Sequence, residues 1–344
     1  MAKNKLPIIQ CSLIGSLKYI DIEPLKEEPA VEEDRLELSI AMKFKHKIKP
    51  EDVTLVVTRL DELFVDEKIL KPVNADRKAL AKQQGRGRYL HFKLEDLFCK
   101  TAYQYQVFYK NKLLDIPGRA ENRIIFQTPP ARQDPQPLKI AIGGDQERHE
   151  QFNPFGACFD LDNQSDTTLL YQHIGKTGLS EAVKHTDIDA QPYQLFIHLG
   201  DLFNGELFFS FRNIFRPGRK FFEHRVESRQ AFRHHLNSDF VAPVTNNLAH
   251  CIFSAVYDDH DIGNNNAGPP ETEKEYRTQK NMVDSFHELV LMEDFLQEDI
   301  AKPGPYYSIR IGQTEIFYLH NRYTKDIDSE DSFLLGNEQW DWLE

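Results

Sequence analysis

The chain has 344 residues, 40% of them hydrophobic and 28% charged, with a formal net charge of −12. That length accommodates two domains and a sizeable core. The acidity excludes non-specific binding to nucleic acid or to anionic membranes, while leaving open a local basic pocket for a phosphorylated small molecule.

The four cysteines, Cys11, Cys99, Cys158 and Cys251, are widely spaced without a paired pattern. Three of them sit in apolar surroundings and read as buried small hydrophobes rather than disulfide partners. Between Met1 and Gly15 the apolar run is interrupted by Gln10, Cys11 and Ser12, so neither a secretory signal nor a membrane span is read there. A cytoplasmic setting is the default expectation, with export lacking a cleavable signal as the alternative.

Residues 1–130 read as a β-sandwich. From Leu36 the alternation is clear, with Leu36, Leu38, Ile40, Met42 and Phe44 on one face and Glu37, Ser39, Lys43 and Lys45 on the other. Val53–Thr58, Tyr89–Leu94, Tyr103–Tyr109 and Ile124–Thr128 are further strands, and such spacing predicts an antiparallel sandwich. Residues 71–88 are basic and read as a solvated loop. Residues 131–137 continue a proline-rich run from Thr128 that stiffens the chain and predicts an interdomain linker.

Residues 138–344 have a different rhythm. Leu138–Ile142 and Tyr193–Ile197 are short apolar strands, and helical patterns are predicted over 219–237 and 271–297. Strands alternating with helices predict an α/β layered domain.

Three apolar runs of this second part end alike. Ile142 leads into Gly143-Gly144-Asp145-Gln146, Leu199 into Gly200-Asp201-Leu202-Phe203-Asn204, and Val256 into Tyr257-Asp258-Asp259-His260-Asp261. Ligands of open α/β sheets bind beyond the carboxyl ends of strands, so these turns could converge on one site. Several ionised carboxylates raise one another's pKa, and a divalent cation reverses that penalty. Glycine beside Asp145 and Asp201 permits close backbone approach. A strand-end Gly-Asp is by itself a common structural turn, and His198 reads as a satisfied core group or one backing a ligand. His224, His234, His235 and His287 read as ordinary helix residues.

These residues resemble the PhoD-like alkaline phosphatases, a branch of the calcineurin-like metallophosphoesterases. Phe126-Gln127-Thr128-Pro129 is similar to the close of that family's fibronectin-like N-terminal domain. Ile197-His198-Leu199-Gly200-Asp201 resembles its His-Leu-Gly-Asp motif. Asp258-Asp259-His260-Asp261 with Asn264-Asn265 resembles its most specific signature, Asp-Asp-His-(Glu/Asp)…Asn-Asn. Phe317 to Arg322 occupies the place of its Leu-Asp-Thr-Arg strand, and Leu334 to Trp340 that of its Leu-Gly-x-x-Gln-x-x-Trp helix start.

The resemblance implies a metallophosphoesterase-like α/β layered sandwich preceded by an all-β fibronectin/Ig-like sandwich. It implies two divalent ions, with Asp145 on the first, Asp201 bridging both, Asp259 on the second and His260 as the phosphate-facing acid. Asn204, Asp258, Asn264 and Arg322 are expected beside the substrate or behind the ligands.

Departures accompany the matches. Asp145 stands where the family has cysteine and Asn204 where it has tyrosine, which shifts the expected metal from ferric iron towards Mn²⁺, Fe²⁺, Mg²⁺, Ca²⁺ or Zn²⁺. His320 replaces an aspartate. The family's later Gly-Asp-x-His motif has no counterpart before Glu344, so the sequence reads as lacking the C-terminal half of the layered domain. The expected activity is metal-dependent phosphate-ester hydrolysis. The alternative is a non-catalytic relative that binds a protein or glycan.

Overall fold

The computed structural model describes residues 6–20, 34–46, 48–60, 67–70, 89–116, 122–143, 150–152, 158–160, 194–200, 251–262, 267–287, 306–322 and 334–344. The predicted helix over 219–237 and the basic stretch 71–88 lie outside them.

Strand β2 (Arg35–Phe44) pairs antiparallel with β5 (Tyr89–Phe98) on one side and β1 (Ile9–Ile20) on the other. The second sheet is built on β3 (Val53–Arg59) and β6 (Ala102–Tyr109), also antiparallel. Strand β4 (Glu67–Leu70) joins β3. The two-residue β7 (Lys112–Leu113) and β8 (Ile124–Gln127) share the far side of β6.

The period-two pattern explains the packing. Leu36, Leu38, Ile40, Met42 and Phe44 are all buried, as expected from their alternation, and meet Leu90, Phe92, Leu94 and Leu97 of β5. Val53, Leu55 and Val57 alternate inward from β3, and Tyr103, Tyr105 and Val107 from β6, into one shared core. Lys43 departs from the expected polar face and is buried as well.

In strand β1, Ile9, Ile14, Gly15 and Leu17 are buried among the residues whose side chains are described. Its pairing with β2 shifts register between Ile9 and Cys11 and again between Gly15 and Lys18, with Ser16 at φ 53° inside the second irregularity. Bulges of this kind add a residue to one strand and break the two-residue period.

Beyond β1 the sheet continues into the residues after the proline-rich run. β1 pairs in parallel with β13 (Ile252–Ala255), β13 with β12 (Leu195–His198), and β12 with β9 (Ile140–Gly143). The result is one six-stranded sheet in the order β5-β2-β1-β13-β12-β9, antiparallel at one side and parallel at the other. Leu195, Ile197 and Ile252 pack in the same apolar cluster as the sandwich interior. Strands β10 (Glu150–Phe152) and β11 (Cys158–Asp160) form a separate antiparallel pair.

Segment 128–134 is fastened on several sides. The Tyr19 hydroxyl donates to the Pro130 carbonyl at 2.7 Å, and the Arg132 N–H donates to Asp34 at 2.6 Å. Lys100 pairs with Asp134 at 2.5 Å, and Thr128 Oγ1 donates to the Phe98 carbonyl at 2.6 Å.

Three helices follow β13 among the described residues: α1 (Asp259–Ile262), α2 (Glu273–Phe286) and α3 (Asn337–Leu343). A capping box starts α2, in which Thr272 accepts from Glu275 N–H while the Glu275 carboxylate accepts from Thr272 N–H. Of the apolar positions predicted for 271–297, Val283 and Phe286 are buried, and those from Leu289 onward lie outside the described residues.

Between α2 and α3 lies the hairpin β14 (Tyr307–Ile311) and β15 (Thr314–Tyr318), closed by Gly312 at φ +57°, a left-handed value that suits glycine. It packs on the Ile252/Ser254 side of β13, where Tyr307 donates to the Ala255 carbonyl at 2.6 Å and the Tyr318 and Ser254 hydroxyls meet at 2.5 Å. Cys99 and Cys251 are both free thiols, and burial raises the pKa of each. No helix among the described residues is long and apolar enough to cross a membrane.

Candidate functional site

The parallel strands set the geometry. Every residue of β12 and β13 is buried, as expected for strands covered on both faces. The register places Gly143, His198 and Ala255 side by side at the carboxyl ends of β9, β12 and β13. Pairing runs one step further, with Leu199 N–H donating to the Gly143 carbonyl at 2.7 Å and Val256 N–H to the His198 carbonyl at 3.0 Å.

The next residue along β12's exit, Gly200, sits at φ +100°. A Cβ there would fall 2.6 Å from Asp258 Cβ and 3.0 Å from Asp258 N. Only glycine fits this conformation and this contact. The turn after β12 therefore lies directly against the acidic turn after β13.

That acidic turn opens a helix. Asp258 N–H donates to Asp261 Oδ2 at 3.0 Å, and Asp259 N–H to Asp258 Oδ1 at 2.9 Å. Asp261 is fully buried, and the Asp259 side chain is only 6% exposed. The dry carboxylate of Asp259, next to the part-exposed Asp258, calls for a compensating cation. Arg322 supplies it, with Nε donating to Asp258 Oδ1 and Nη2 3.5 Å from Asp259 Oδ1.

A second group of side chains backs this pair. Tyr257 packs edge-on to Phe286 at 5.5 Å and against the His320 ring at 4.3 Å. His287 lies against Phe286 at the end of α2 and is buried, unlike the ordinary helix histidine expected there. Burial, with the positive field of His287 and Arg322, pushes the His320 pKa down to about 3. The Gln339 side chain grips both backbone groups of His320, accepting from its N–H at 2.7 Å and donating to its carbonyl at 2.8 Å. Helix α3 thereby pins the segment that carries Arg322.

His198 is the unexpected member. It is wholly buried at the end of β12, and among the described residues neither ring nitrogen has a hydrogen-bond partner. Burial alone pushes its pKa down to about 4. The sequence reads it as a satisfied core group or one backing a ligand, and the structure buries it at the strand end.

Of the residues expected in the site, Asp258, Asp259 and Arg322 meet in one cluster. Asp145, Asp201, Asn204 and Asn264 lie outside the described residues, although β9 ends two positions before Asp145 and Gly200 directly precedes Asp201. His260 is described only by its backbone, in the single turn of α1. Among the described residues, no three His, Cys, Asp or Glu side chains are grouped to hold a metal ion. Sequence reasoning missed the supporting roles of Tyr257, His287 and Gln339. Gln339 alone carried a signal, in the helix-start motif.

No protein-family model matches the chain, and no curated protein matches it. Among solved structures it is similar to a purple acid phosphatase isolated from yellow lupin (Lupinus luteus) seeds. That similarity has 11% sequence identity and a TM-score of 0.47, over 89% of this chain and 45% of that one. The chain thus spans less than half the length of that structure.

Proposed function

We propose that the chain hydrolyses phosphate esters at a two-ion site made by Asp145, Asp201 and Asp259, with His260 protonating the leaving group. In this reading the part after the proline-rich run is a PhoD-like metallophosphoesterase domain, and the part before it a fibronectin/Ig-like sandwich. The protein acts in the cytoplasm on a phosphorylated substrate.

The observation that carries this reading is the shared strand end. β9, β12 and β13 finish in register, and Gly200 presses on Asp258 so closely that no other residue fits. Asp145 follows β9 by two positions and Asp201 follows Gly200 directly, which supports reading their turns at the same edge as Asp258 and Asp259. The donor set is of hard oxygens, which suits Mn²⁺, Fe²⁺, Mg²⁺, Ca²⁺ or Zn²⁺, and the orphaned imidazole of His198 at that edge fits a place built for a polar occupant. The chemistry supplied by such ions is activation of the attacking water and neutralisation of charge on the phosphoryl group. Arg322 orients Asp258 and Asp259, and with Asn204 and Asn264 it provides donors for the substrate's oxygens.

The test is turnover of a chromogenic phosphate ester, with metal analysis of the purified chain. Asp201→Asn and Asp259→Asn should each abolish turnover, and unchanged turnover in both would sink the assignment.

One observation favours a second reading. Arg322 pairs with Asp258 and Asp259, an internal compensation that a non-catalytic relative binding a protein or glycan would keep. Calorimetry separates the two, because that relative takes up no divalent ion.

A further inference from the structure

We propose that helix α3 and the outward face of the hairpin β14–β15 form a docking surface for an arginine- or lysine-bearing segment of a partner protein. The proposal holds under either reading of the acidic turn.

The hairpin keeps a period of two. Tyr307, Ile309, Ile311 and Tyr318 face inward, while Ser308, Arg310, Glu315 and Phe317 are exposed. Phe317 is the exception on that polar face, at 47% exposure. Trp342 of α3 meets it edge-on at 5.7 Å between ring centroids, and Tyr306 meets the same indole at 4.8 Å. The Tyr306 hydroxyl donates to the Glu338 carbonyl at 3.2 Å, which ties the start of the hairpin to the start of α3. Trp340 is 46% exposed and Trp342 37%. Aromatic rings gathered in solvent, one of them in a strand position otherwise filled by polar side chains, mark a contact surface.

Charge decides the partner. A helical turn of about 3.6 residues puts Asp341 and Glu344 opposite the buried Gln339, with Glu338 beside them and Trp342 and Trp340 on either flank. All three acids are exposed, and none has an ion pair among the described residues. The last turn of α3 holds no basic residue, so these carboxylates add to the negative end of the helix dipole instead of offsetting it. A guanidinium or ammonium laid on Trp342 is attracted by the ring face and by the carboxylates together. A neutral glycan would use the rings and leave the charge unmatched. A second copy of this chain, at a net charge of −12, would be repelled.

The experiment titrates hexa-arginine into the full chain in calorimetry at about 0.15 M salt, with tryptophan emission followed in parallel. Trp340 and Trp342 are the only tryptophans of the chain, so binding here should shift that emission. Trp342→Ala should weaken binding about fivefold. Glu338→Gln combined with Asp341→Asn should weaken it by about the same factor. This double variant leaves the rings in place, and it decides the matter if Trp342→Ala does not fold.

Glu271→Gln combined with Glu273→Gln removes equal charge at the exposed start of α2 and should leave the affinity unchanged. An equal loss there would mean diffuse attraction of a polycation to an acidic protein, and the proposal is overturned. Absence of binding by wild type overturns it as well. Cellohexaose binding in place of hexa-arginine would assign the surface to glycans, and self-association that Trp342→Ala removes would assign it to a second copy; either result overturns the proposal.

Discussion

The sandwich and the parallel strand end use the same sheet for opposite purposes. In the sandwich, the inward positions of β2, β3, β5 and β6 are almost all apolar, from Leu36 to Val107. At the parallel end, the buried residues include His198, Ser254, Asp259, Asp261, His287 and His320. Apolar burial stabilises in proportion to area and asks for no partner. A buried polar group costs free energy until something satisfies it. The first region holds the chain together, and the second accepts local cost where chemistry is expected.

Breaking the sandwich should give the largest effect. Phe126 is fully buried, stacked on Tyr103 at 5.7 Å and tilted to Tyr105 at 6.2 Å. Phe126→Ala should cost about 3–5 kcal/mol, read as a lower urea midpoint. Because the apolar cluster reaches Leu195 and Ile252, the parallel strands should unfold in the same transition; a separate, unshifted transition for them would contradict the shared core.

Acid should act on the other region. His198 has a folded pKa of about 4, below its ordinary 6.5, because burial disfavours its charged form. The unfolded chain therefore takes up the proton first as pH falls. Stability is fully kept above about pH 6.5 and declines towards pH 4, by on the order of 3 kcal/mol for this group. His320, depressed to about 3, acts in the same direction and further down the scale. His198→Leu should flatten the decline without loss at neutral pH, since it removes two unpartnered polar atoms. Melting temperatures measured from pH 7.5 to 4 decide this, and an unchanged slope would count against it.

Gly200→Ala sharpens the contrast at a single atom. The added Cβ meets Asp258 at 2.6 Å in a backbone conformation that alanine rarely adopts, and such strain costs about 1–3 kcal/mol. Turnover should fall far more than stability does, measured on the same preparation. Lys93→Gln, on the exposed face, should be nearest to neutral. Its pairs with Glu37 at 3.0 Å and Glu95 at 2.8 Å raise its pKa but sit in solvent, so a loss within about 1 kcal/mol is expected from thermal melts.

Legibility in the sequence followed the same division. Strands with a mostly two-residue period, such as β2 and β6, were readable because their inward residues, Leu36 to Phe44 and Tyr103 to Val107, are apolar while Glu37, Ser39, Gln104 and Gln106 between them are polar. β1 carries an alternation at its start, with Ile9, Cys11 and Leu13 against Gln10 and Ser12, but its place between β2 and β13 depends on pairings far along the chain that no local pattern shows. The acidic turn was readable because three carboxylates in four residues have few structural uses. Arg322 was suggested only by resemblance, since its meeting with Asp258 depends on how the hairpin β14–β15 is laid across β13. That the His198 ring nitrogens have no hydrogen-bond partner among the described residues had no local signal, because partners are set by tertiary placement.

The parallel contact of Ile14 with Ile252 carries a practical consequence for anyone dissecting this protein. Cutting the chain at 131–137 would strip β1 of its neighbour and leave β13 with a bare row of backbone donors and acceptors. Such raw edges recruit other strands, so the two pieces made separately should aggregate, and made together they should find each other and co-purify.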